Sequence, residues 1–65
     1  MNAKELAARL KTLRLERDLS FAQLAAAVGL TTGAVWKIIN CHVEPSERSL
    51  FKLKKAFPEI FKSAA

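Results

Sequence analysis

A chain of 65 residues with a formal charge of +5 has room for one domain and one core, but not for a deep catalytic cleft. With 51% hydrophobic residues, no tyrosine and only two glycines and two prolines, it is neither a disordered chain nor a strand-and-hairpin protein. The single cysteine, Cys41, excludes an internal disulfide and fits a reducing cytoplasm; no apolar run approaches a membrane span, and the N-terminus lacks the apolar core of a signal peptide.

The first predicted helix runs from Asn2 to Arg17, with Leu6, Leu10 and Leu13 on one face and Ala7 beside them. Asp18 tolerates the left-handed geometry that ends a helix, and Leu19 returns to the core. Ser20 is an N-cap with Gln23 three residues on, the spacing of a capping box. The second helix then spans Phe21 to about Ala27 and turns Leu24, Ala25 and Val28 inward. Gly29 supplies a sharp turn, and Thr31 caps a third helix from Thr32 to Asn40, whose inward residues are Val35, Ile38 and Ile39. Two short helices this close cannot lie antiparallel and must cross steeply, so residues 20–40 read as a helix-turn-helix. Cys41 to Pro45 is a loop. Ser46 caps a fourth helix with Leu50, Leu53 and Phe57 as its buried stripe, and Pro58 opens a last short helix from Glu59 to about Lys62, carrying Ile60 and Phe61. The tail Ser63–Ala65 is expected to fray. The expectation is an all-α single domain, residues 1–65, of five helices.

On the third helix, Thr32, Gly33, Trp36, Lys37 and Asn40 share the outward face. Small residues at the leading end let a backbone approach base edges in the major groove of duplex DNA. Thr32 suits a thymine methyl or a base polar group, Lys37 a guanine edge or a phosphate, and Asn40 a phosphate at the helix exit. Trp36 has two readings, an apolar contact with DNA, or packing on Ile39 or at a protein contact. The free amides at Phe21, at the positive end of the second helix, suit a phosphate whatever the side chain. Arg48 and Lys52 either flank a phosphate track or form part of a solvated face with Lys54 and Lys55. His42 stands alone, so no metal site is indicated; no oxyanion donors accompany Cys41 and His42, and no phosphate-binding glycine loop is present. No cofactor and no small-molecule substrate are expected, and an enzyme is the least supported class.

The rhythm Leu10…Leu13-Arg14, Leu19-Ser20, Leu24-Ala25, Val28-Gly29-Leu30, Val35, Ile38, Asn40, Pro45-Ser46 and Leu50 resembles the Cro/repressor (XRE-type) helix-turn-helix family over nearly the whole chain. The resemblance implies a lambda-repressor-like fold of five helices and a recognition helix at about 32–40, with Thr32, Gly33, Trp36 and Lys37 at its base-facing positions. The candidate DNA-binding set is Arg14, Phe21, Gln23, Thr31, Thr32, Gly33, Trp36, Lys37, Asn40 and His42. The family also implies a homodimer on half-sites about one helical turn apart. Phe57, Ile60 and Phe61, taken as exposed, are the candidate dimer contacts, their other role being to close the core.

Three positions depart from the family pattern. Phe21 replaces a frequent Gln. Ile39 replaces an acidic residue that pairs with the helix-one arginine, leaving Arg14 in need of another partner or facing a phosphate. Cys41 replaces the usual Gly after Asn40 and must adopt a less comfortable turn. The string from Phe21 to Asn40 also resembles the N-terminal domain of the transposition ATPase of Mu-like phages, and DLSFAQLA resembles the helical domain of cyanase, which does not bind DNA. The expected functions are therefore a dimeric, cytoplasmic transcriptional repressor of bacterial or phage origin, a DNA-binding module of a transposition protein, or a protein-interaction domain on the same frame.

Overall fold

The computed structural model describes residues 2–62; the expected fraying of Ser63–Ala65 lies outside them. Four α-helices follow one another: α1 (Ala3–Glu16), α2 (Phe21–Val28), α3 (Thr32–Ile39) and α4 (Glu47–Ala56). The fifth expected helix is instead a four-residue 3-10 turn, Pro58–Phe61. The reason is length: the segment has room for the Ile60 amide to reach the Phe57 carbonyl, at 3.1 Å, but not for a continued i→i−4 ladder. The first helix is also one residue shorter at each end than expected, because Asn2 and Arg17 are its caps.

Side chains start every α-helix. Asn2 Oδ1 accepts from the Glu5 amide at 2.8 Å, Thr31 Oγ1 from Ala34 at 3.1 Å and Ser46 Oγ from Ser49 at 3.2 Å. At Ser20 the capping box is complete: Ser20 Oγ accepts from the Gln23 amide at 3.0 Å, and Gln23 Oε1 accepts from the Ser20 amide at 2.8 Å.

The first three helices stop by one device. Asp18, Gly29 and Cys41 each have positive φ, at 52°, 84° and 58°. The amide after each donates five residues back, Leu19 to Arg14, Leu30 to Ala25 and His42 to Lys37, at 2.8–3.0 Å. These bonds satisfy carbonyls that a helix end would leave open.

The core is one cluster. Leu10, Leu24, Val35 and Leu53, one residue from each α-helix, are fully buried at its centre, and Leu6, Leu13, Ala25, Val28 and Ile38 surround them. Helix α1 packs on α3, α2 on α3 and α4, and the 3-10 turn closes the base against α1 and α4. Phe57 and Ile60 belong to this core, with only 6% and 3% of their surface exposed, and Phe61 is half-buried against it. The expectation that they are exposed is therefore corrected. The turn at Pro58 folds the last segment back under the bundle, so these side chains close the core.

Arg9 of α1 and Arg17, its C-cap, hold that last segment. Arg9 Nη1 donates to the carbonyls of Ile60 (2.7 Å) and Lys62 (3.3 Å). Arg17 pairs with Glu59 and lies over the Phe57 ring, 5.1 Å from its centre.

Gly29 is free to adopt its left-handed turn, but Cys41 carries a Cβ in the same region, which costs about 1 kcal/mol or more. Cys41→Gly is expected to stabilise the protein by roughly 0.5–1 kcal/mol, read as a higher urea midpoint with an unchanged slope.

Candidate nucleic-acid interface

Between α2 and α3 the chain bends by 105° across the short turn at Gly29–Thr31. The inward stripe of α3, Val35 and Ile38, is buried, with Ile39 packed at its margin. Its outward residues Thr32, Gly33, Trp36, Lys37 and Asn40 are all exposed, as are Thr31 before the helix and His42 after it. Among the described residues, no core side chain covers this face. Glu44 is the one acidic residue lining the open depression that α3 shares with Val43, Pro45, Ser46 and Ser49.

A helix-turn-helix places its second helix at about 90–120° to the first so that it protrudes toward a duplex groove. The 105° bend lies within that range. A family model described as a helix-turn-helix domain matches residues 5–53. This chain belongs to the helix-turn-helix domain family. No curated protein and no solved structure matches it.

Within this helix-turn-helix, Gly33 is the most informative position. It sits in the first turn of α3, where glycine is less favourable than alanine by up to about 1 kcal/mol. A Cβ built there meets nothing within 4 Å. Packing inside the protein therefore does not call for glycine. The missing side chain, together with the small Thr32, leaves the leading end of α3 low enough for an external surface to reach its backbone. The amides of Thr32 and Gly33, like those of Phe21 and Ala22 at the start of α2, have no acceptor among the described residues. Two helix starts of the motif thus offer unsatisfied donors at positive dipole ends.

Other sequence candidates have structural roles. Arg14 does not face outward for a phosphate. Its Nη1 donates to the Leu19 carbonyl at 3.1 Å, and its guanidinium carbon lies 4.5 Å from the centre of the Phe21 ring. Its Nε is buried without an acceptor. A cation–π contact and one backbone bond thus hold Arg14 where the resemblance implies an acidic partner. Gln23 is exposed but engaged in its capping box. Lys52 Nζ donates to the Gly29 carbonyl at 3.0 Å, so it caps the α2 exit, while Arg48 remains exposed.

Sequence reasoning missed the pairing of Trp36 with His42. Trp36 is 44% exposed, and its ring centre lies 4.9 Å from that of His42, with the planes tilted by 32°. Asn40 Nδ2 donates to the Trp36 carbonyl at 2.9 Å, which holds the helix exit. The ends of the candidate set are therefore tied together. The one available signal was Cys41 in the place of a left-handed glycine, since that geometry reverses the chain at His42.

Two stability measurements check this reading. Gly33→Ala is expected to stabilise the free protein by about 0.5–1 kcal/mol, because the added methyl meets no neighbour. Arg14→Met is expected to destabilise it by roughly 1–2 kcal/mol, with Arg14→Lys recovering only part of the loss, since an ammonium cannot lie flat on Phe21 and bond Leu19 together. Both are read from urea unfolding.

Proposed function

We propose that this chain binds double-stranded DNA sequence-specifically, laying α3 in the major groove. The observation that carries the reading is the leading end of α3, where an exposed threonine and a glycine not required by packing precede Trp36 and Lys37 on one uncovered face. In this reading Thr32, Trp36 and Lys37 contact bases. The free amides of Phe21 and Ala22 and the exit at Asn40 contact phosphates. The formal charge of +5 draws the domain to a polyanion.

The proposed role is a Cro-type transcriptional repressor that occupies a palindromic operator as a homodimer, in a bacterial or phage-infected cytoplasm. Its activity is binding alone, without a cofactor or a reaction. Phe57 and Ile60 are used in the core, so the dimer contact would lie elsewhere. The alternatives are a transposition module and a protein-interaction domain on the same frame.

Selection from random duplexes tests all three. A sharp palindrome supports the repressor, enrichment without symmetry or motif supports a transposition module, and absence of any complex at low salt leaves only protein interaction. If each dimer neutralises about six phosphates, log affinity should fall with log salt at a slope near −5, and a flat dependence would overturn the DNA reading. Lys37→Ala should weaken the selected site by about 1–3 kcal/mol if Lys37 reads a base, whereas equal weakening on all sequences makes it a phosphate contact. Gly33→Ala, expected to stabilise the free protein, should bind the selected duplex more weakly, measured by fluorescence anisotropy of labelled DNA.

A further inference from the structure

We infer that His42 is a positioning residue for DNA reading, its imidazole packed at a tilt against Trp36 so that the indole is held ready on the exposed face of α3. This rests on the proposed DNA-binding function and goes beyond it by assigning a role to a residue outside the recognition helix.

The two rings meet because of how α3 ends. Residues six apart on a continuing helix point to widely different sides. Here the helix does not continue. Cys41 adopts φ 58°, its amide donates to the Ile38 carbonyl at 3.2 Å, and the His42 amide donates to the Lys37 carbonyl at 2.8 Å. This reversal brings His42 back over the turn that carries Trp36, where the ring centres stand 4.9 Å apart. The α3 neighbours of Trp36 on the same face offer little restraint. Gly33, one turn before it, has no side chain, Thr32 is small, and Asn40 is bonded to the Trp36 backbone. His42 is the aromatic partner of the indole among the described residues.

An exposed tryptophan without a partner must be ordered when a ligand binds, and that ordering weakens the complex. A packed pair is ordered beforehand. Aromatic pairs of this kind carry a coupling that corresponds to about a threefold to tenfold effect on an equilibrium. His42 thus sharpens discrimination among sequences through Trp36, without itself touching a base.

The test uses the 65-residue chain, in which Trp36 is the single tryptophan and reports its own mobility by fluorescence. Tryptophan anisotropy is measured on the free wild type, His42→Ala and His42→Phe. Affinity is then measured for the duplex recovered by selection and for a mixed-sequence duplex. The expected result is that His42→Ala frees the indole and weakens the selected duplex about threefold to tenfold, with at most about a twofold change on mixed DNA. His42→Phe, which keeps an aromatic ring without a titratable group, restores both readings, and His42→Ala has no further effect in a Trp36→Ala background. Equal weakening on both duplexes, which would make His42 a phosphate contact, overturns the inference. So do independent effects of the two substitutions, or unchanged discrimination with a freed indole. In each of those cases wild-type DNA binding is intact. A wild type that binds no duplex instead sinks the DNA reading, and the inference with it.

Discussion

Helices α2 and α3 have eight residues each, fewer than the roughly 12–15 an isolated helix needs in water, so neither persists without the core they share. Leu24 and Val35 are fully buried in that core beside Leu10 and Leu53, and the short turn at Gly29–Thr31 leaves them little choice of direction. A 105° bend lets both apolar stripes reach the same interior. It also leaves the opposite side of α3 uncovered among the described residues. The protruding face is thus a consequence of packing two short amphipathic helices on a small core, and the bend that stabilises the domain is also what presents Thr32, Gly33, Trp36 and Lys37.

The cations divide between structure and surface. Arg9 and Arg17 secure the C-terminal turn, Arg14 lies on Phe21, and Lys52 caps the exit of α2. These contacts fix where those cations sit without cancelling their charge. Lys37 and Arg48 remain exposed and free of salt bridges among the described residues. The Arg14–Phe21 contact holds the helix-one arginine without a carboxylate. The family resemblance implies a carboxylate opposite the helix-one arginine. Here an aromatic face and the Leu19 carbonyl hold it, and Ile39 joins the edge of the core.

Three local choices run against helix and turn preferences; Asp18, at positive φ, ends α1, and the other two fall on the candidate interface. Gly33 weakens a short helix without relieving any crowding, and Cys41 adopts a left-handed turn that glycine would take at less cost. Departures from local preference concentrate where something besides stability is at stake. At Gly33 the gain is an accessible backbone. At Cys41 the turn sets the position of His42, and through it the orientation of Trp36. The strained exit and the exposed indole are thus parts of one arrangement.

The sequence by itself determined the four α-helices, the caps Ser20, Thr31 and Ser46 and the turn at Gly29, because these rest on interactions spanning three to five residues, whereas Asn2 and Arg17, read as helix, are the caps of α1. Ser20 with Gln23, Thr31, Ser46 and the left-handed positions at Asp18 and Cys41 can all be read along the chain. Periodicity likewise separated Val35 and Ile38 from the outward residues of α3. It did not decide whether the apolar residues after Pro58 closed this core or faced a second copy, since hydrophobicity is the same signal in either case; only the fold of that segment beneath α1 buried Phe57 and Ile60. Nor could it sort the arginines. Arg9 meets the Ile60 carbonyl 51 residues away, a contact that depends on where tertiary packing returns the backbone and leaves no trace in local spacing.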